Sequence, residues 1–143
     1  MDRSSGILLH ISSLPSRSGI GPLGRAAHPF ADFLKAAGQR YWQLLPLGPT
    51  SYGDSPYQSF STFAGNPYFI DLDLLAEDGL LDRAELEAID WGTEPRYVDY
   101  GRIYDSRFRV LRRAFQKGWS RDREAVERFA RENRWLDDYA LYM

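Results

Sequence analysis

The chain has 143 residues, enough for one core of ordinary size, and 43% hydrophobic against 27% charged residues exclude a disordered or low-complexity polymer. A net charge of −2 leaves no basic surplus, so neither nucleic acid nor an anionic membrane is an expected partner. Cysteine is absent, no segment is apolar for long enough to span a membrane, and Met1 to Gly6 lack the layout of a signal peptide, so there is no disulfide framework and the expected address is cytoplasmic.

Residues 6–11 (GILLHI) form a short apolar run without alternation, the pattern of a strand buried on both faces of a parallel sheet. Residues 12–22 are crowded with Ser, Pro and Gly and form a loop. Phe30, Phe33, Leu34 and Ala37 then recur at i, i+3, i+4 and i+7, one face of a helix, with Pro29 in its first turn and Gly38 as its stop. Residues 41–47 (YWQLLPL) predict a second strand. Strand, loop, helix and strand at this spacing make a βαβ unit, hence a parallel pair with a right-handed crossover.

Gly48 to Ser61 is a loop by composition, rich in Gly, Pro and Ser. It also carries two tyrosines, a glutamine and a carboxylate, which a mere connection does not need. A strand that ends in a polar, aromatic loop is how an α/β barrel presents a ligand site. With aromatic residues at 15%, some rings fill cores, yet Tyr and Trp also suit ligands that have both an apolar face and hydroxyls.

Further on, residues 66–72 predict an extended segment opened by a turn, and residues 74–81 and 82–86 predict short helical pieces. Residues 91–96 are irregular. Two closing helices are expected. The first carries Phe108, Leu111 and Phe115; the second is capped by Ser120, with Asp122 and Glu124 in its first turn. Its stripe of Val126, Phe129, Leu136, Tyr139, Ala140 and Met143 meets no stop signal. Two parallel strands cannot cover both their faces, and an eight-stranded barrel takes about 250 residues, so the chain is expected to be the front of something longer.

The scattered charged groups carry mostly plain expectations. Asp54 suits a turn former better than a ligand-binding carboxylate. Asp71 and Asp73 lack metal-site spacing, so solvated or capping roles are expected and no metal is assigned. His28 is helix-entry surface. His10, at the C-terminal end of the first strand, either contacts substrate or is a packed core histidine. Arg121 to Glu124 form an exposed helix face, and Gly19 to Gly24 lack a phosphate-loop pattern.

Five blocks taken together, Gly6–Ile7–Leu8–Leu9–His10, Ser13–Leu14–Pro15, Tyr41 to Thr50, Gly53 to Ser61 and Gly65 to Leu72, resemble the opening of the amylomaltases, the 4-α-glucanotransferases called disproportionating enzyme in plants. The resemblance spans almost the whole chain and is densest over residues 6–72. It implies an α/β fold, the first part of a (β/α)8 TIM barrel with a largely helical inserted subdomain, incomplete in this chain. Residues 1–72 would hold the first βαβ units and the substrate-facing loop, and residues 73–143 the inserted subdomain.

The implied activity transfers 1,4-α-glucan segments to the 4-hydroxyl of glucose or another glucan, without a cofactor. The partners would be maltooligosaccharides and starch- or glycogen-derived glucans. Retention through a covalent intermediate requires two carboxyl groups close together across the scissile bond. The family motifs that supply them are not in this chain, so no catalytic residue is assigned. The resemblance places Ser55, Tyr57 and Gln58 at the donor subsites, and Tyr52 and Tyr104 at a second glucan site. The alternatives are an α-glucan hydrolase on a related barrel and a non-catalytic glucan-binding fragment.

Overall fold

The computed structural model describes residues 3–92, 94 and 96–143. β1 (Gly6–Leu8) and β2 (Tyr41–Gln43) pair in parallel, with Gly6 opposite Tyr41, Ile7 opposite Trp42 and Leu8 opposite Gln43. Between them runs α1 (Ala27–Ala36), so the βαβ unit forms as its spacing predicts. Gly38 follows α1 at φ 71°, and the Gln39 N–H donates to Leu34 O at 2.9 Å, a left-handed helix stop.

The strands depart from expectation in two ways. Each has three residues rather than six or seven, and neither is buried on both faces: Ile7, Leu8 and Tyr41 are 41%, 55% and 64% exposed. A two-stranded sheet carrying one helix has no second layer to cover it. Trp42 is the partial exception. Its ring meets Phe30 edge-on at 4.8 Å, and its indole N–H donates to Leu9 O at 2.7 Å. On α1, Leu34 faces the core and Phe30 packs against it, but Phe33 is 62% exposed and lies off the expected face.

Residues 66–72 are not extended. Asn66 accepts from the Tyr68 N–H at 2.9 Å and starts a 3-10 turn, Pro67–Phe69. Asp71 then caps α2 (Leu72–Glu77), accepting from the N–H groups of Asp73 and Leu74 at 2.9 and 3.3 Å. Its other oxygen accepts from the Arg25 N–H at 3.0 Å. Gly24 permits that approach, because a Cβ there would stand 2.1 Å from the Asp71 carboxylate. Asp82 caps α3 (Arg83–Glu87) in the same way. Residues 91–96, expected to be irregular, lie partly outside the described residues.

The largest correction concerns the C-terminal half. Helix α4 (Tyr100–Glu132) is continuous for 33 residues, and Ser120 is one of its interior residues rather than the cap of a second helix. Nothing near Ser120 forces a stop. Gly118 sits buried against Leu80, and Asp122 and Glu124 are ordinary interior residues paired or exposed to solvent. The break comes at Asn133, whose side-chain amide donates to Phe129 O at 2.8 Å, and α5 (Trp135–Tyr142) follows. The expected stripe therefore spans two helices. Val126 and Phe129 are 42% and 48% exposed.

Two apolar clusters lie along α4. One joins Ile11, Leu14, Ile20, Tyr68 and Phe69 to Ile103. The other joins Leu72, Leu81, Leu86 and Trp91 to Val110 and Ala114. Between Ile103 and Val110 sits Arg107, fully buried, donating to Ser18 O at 3.3 Å and also to Ile70 O. Burial lowers its pKa to about 10, partly offset by the nearby Asp71 charge and by Tyr68, so the guanidinium stays charged at neutral pH.

Arg107→Met keeps most of the volume but strands two carbonyl acceptors in the interior. We expect a loss of about 2–4 kcal/mol in urea unfolding, where Arg113→Met on the exposed face of α4 is close to neutral. Equal effects from the two substitutions would show that the buried bonds are not what holds the loop to the helix.

Candidate functional site

The polar loop after β2 returns on itself, and the Asn66 N–H donates to Leu47 O at 2.8 Å to close its base. Two tight turns shape it. The Asp54 N–H donates to Ser51 O at 3.0 Å, with Gly53 at φ 94° in the third position of that turn, where a left-handed backbone favours glycine. The Gln58 N–H donates to Ser55 O at 3.0 Å across Pro56 and Tyr57. Tyr52 and Tyr57 stand on these turns as fully and 73% exposed rings.

Opposite the loop, Tyr100, Tyr104 and Phe108 recur every fourth residue and share one face of α4. Tyr68 forms the floor, 6.0 Å from the Tyr100 ring and 5.8 Å from Phe108, while Tyr104 meets Phe108 edge-on at 5.4 Å. Loop and helix face enclose an open cavity of about 770 Å³, lined by Pro49 to Asp54, Phe60, Asn66 to Tyr68, Tyr100, Gly101, Tyr104, Phe108 and Met143. That volume is the size of a small-molecule site, and its walls alternate rings with hydroxyls.

Tyr52 and Tyr104, 52 residues apart in sequence, line this one cavity. Ser55, Tyr57 and Gln58 do not line it. Ser55 is half-buried as a turn former, its Oγ 3.4 Å from the Tyr57 N–H, and Gln58 is exposed. His10 is elsewhere again, just past β1, with its ring edge-on to Phe69 at 5.4 Å and its Nδ1 buried without a partner among the described residues.

Asp54 is both a turn residue and a cavity wall. It is the one non-glycine residue at positive φ among those described, at 55°. Burial raises its carboxyl pKa. The Tyr68 phenol is pushed up to about 12, by burial first and by the Asp54 charge next, and the Tyr100 phenol rises for the same two reasons. Thr50 adds a hydroxyl that is buried without a partner among the described residues and also lines the cavity. An unpaired buried hydroxyl, a carboxylate and phenol donors converging on an apolar wall can hold a polyhydroxylated ligand. Tyr68 lies within the Gly65 to Leu72 block and Phe108 on the expected apolar helix face, but neither they nor Tyr100 carry a site role in the sequence reading; for Tyr100 and Phe108, the spacing of four through Tyr104 is the signal that finds them.

A family model described as 4-alpha-glucanotransferase matches residues 9–143. The chain belongs to the 4-α-glucanotransferase family. A 4-alpha-glucanotransferase from Clostridium butyricum is 55% identical over 136 residues, 94% of this chain and 28% of that enzyme. One from Streptococcus pneumoniae is 53% identical over 143 residues, again 28% of its own length. Among solved structures, the amylomaltase from Streptococcus agalactiae in complex with acarbose matches with a TM-score of 0.92 at 43% identity, over 97% of this chain and 28% of that one. The chain thus spans little more than a quarter of the glucanotransferases it matches. Among the described residues no helix is long and apolar enough to cross a membrane, and no group of three or more His, Cys, Asp or Glu could hold a metal ion.

Burial holds the His10 pKa below its ordinary 6.5, so the folded chain prefers the neutral ring while the unfolded chain takes up a proton near that pH. Its stabilising contribution is present above that pH and is lost as pH falls through the window below it. His10→Gln removes this linkage. Between about pH 7.5 and about pH 5.5 the urea midpoint of the parent should fall further than that of the variant; parallel falls would place the titration elsewhere.

Proposed function

We propose that this chain is the glucan-facing front of a 4-α-glucanotransferase that moves 1,4-α-glucan segments to the 4-hydroxyl of glucose or another glucan by retaining double displacement. The observation that carries the proposal is the cavity: Tyr52 and Tyr104 wall it, Tyr68 and Tyr100 floor it, and Asp54 and Thr50 supply polar atoms. Glucose rings present apolar faces rimmed by hydroxyls, which such walls complement. The acarbose bound to the similar amylomaltase supports α-glucans as the ligand class, since acarbose mimics a maltooligosaccharide.

Asp54 is the one carboxylic side chain lining the cavity among the described residues, and retaining transfer needs two carboxyl groups about 5 Å apart. We therefore assign the catalytic pair to the part of the longer relatives that this chain does not span. In that reading β1 and β2 begin a (β/α)8 barrel, residues 73–143 form a helical insertion, and Ser55, Tyr57 and Gln58 serve donor subsites beside the cavity. His10 packs rather than binds. The expected partners are maltooligosaccharides and longer α-glucans in the cytoplasm.

The test is acarbose binding by titration calorimetry. Tyr52→Ala and Tyr104→Ala should each weaken affinity about tenfold, while Tyr97→Ala, an exposed ring outside the cavity, leaves it unchanged. Equal behaviour of all three variants would remove the cavity as the glucan site. For the reaction itself, the longer protein incubated with maltotriose should give glucose plus a ladder of longer glucans; shorter products alone would mark a hydrolase.

A further inference from the structure

Helix α5 turns back at Asn133 and meets the far side of the site loop through aromatic rings. Phe63 stacks on Trp135 at 5.7 Å, and Phe60 stacks on Tyr139 at 6.5 Å while lying 5.5 Å from Tyr142. Trp135 is itself braced, edge-on to Phe129 at 6.4 Å and to Tyr139 at 6.0 Å, with its indole N–H donating to Asn133 Oδ1 at 3.2 Å. None of these residues belongs to either apolar cluster. The rings therefore add little to the core, yet three from α5 lie against a loop whose side-chain bonds in this stretch are local: the Ser59 hydroxyl donates to Ser61 O, and the Ser59 and Ser61 hydroxyls accept from backbone N–H groups at most three residues away.

Phe60 has two sides. One rests on α5; the other walls the cavity that holds Tyr52 and Tyr104. The stacked pairs Phe63–Trp135 and Phe60–Tyr139 brace the loop against α5, while Phe63 and Tyr142 stay 70% and 73% exposed.

We propose that Trp135 and Tyr139 are positioning residues: through Phe63 and Phe60, α5 fixes the loop wall of the glucan cavity. The inference rests on the cavity being the glucan site. Its logic is that of supporting residues in general, where a site on a loop is only as well placed as the packing behind it. Removing the Trp135 ring leaves Phe63 without its stack and lets Phe60 leave the wall.

Trp135→Ala and Trp135→Phe in this chain test it, with Trp119→Ala, on α4 beside Phe115 and away from the loop, as control. Two readouts are needed. Without sugar, deuterium uptake across residues 59–64 should rise in Trp135→Ala and stay at the parent level in Trp135→Phe and Trp119→Ala. With acarbose, Trp135→Ala should bind about fivefold more weakly, and Trp135→Phe should restore affinity. The urea midpoint should hold in all three, because no cluster residue is touched. Unchanged uptake in Trp135→Ala overturns the proposal, and so does unchanged affinity beside faster uptake. A parent chain with no affinity for acarbose sinks the functional reading instead, and the uptake comparison then still decides whether α5 holds the loop.

Discussion

A single charged side chain organises the molecule. Arg107 lies buried midway between the two apolar clusters and binds the backbone carbonyls of Ser18 and Ile70. Those carbonyls belong to the loop after β1 and to the turn before α2, segments with little regular structure of their own. A guanidinium suits the task because its fork of donors reaches two acceptors at once and stays ionised even after burial lowers its pKa to about 10. The Asp71 charge nearby offsets part of the desolvation, and Asp71 is in turn fixed as the cap of α2.

The cavity depends on that arrangement. Tyr68 sits two residues before Ile70, so the bond that anchors Ile70 also holds the cavity floor against α4. The opposite wall is a loop built of turns, which keeps Tyr52 and Asp54 in place at the cost of a left-handed Asp54. Strain of that sort concentrates where a structure binds something. Burial first, and the Asp54 charge next, keep the Tyr68 and Tyr100 phenols protonated beyond their usual range, so they remain hydrogen-bond donors.

Sequence periodicity made some of this legible and hid the rest for physical reasons. The βαβ unit and the Gly38 stop follow from local signals and were readable, as was a capping role for Asp71; the Asp82 cap was not, since residues 82–86 read as one helical piece. The motif match joined Tyr52 to Tyr104 before any geometry did. The long α4 was not readable as one helix, because Ser120 followed by two acids looks like a cap although Gly118 and its neighbours tolerate continuation. Strand exposure was not legible, because an apolar run reports what a strand wants, not what covers it. The cavity roles of Tyr68 and Tyr100 were not legible, since a ring in a cavity and a ring in a core have the same composition. Asp54 was legible as a turn residue only; its second role exists because α4 arrives opposite it.

Helix α4 also bears on how the chain comes apart. It forms one wall of each apolar cluster, so neither cluster keeps a complete core once the helix leaves. A boundary near residue 72 is therefore a boundary in sequence and not in energy. Heat should take both halves in one calorimetric transition, and a graft that moves residues 1–72 alone would carry away a cluster stripped of Ile103 and the α4 rings behind it rather than a portable module.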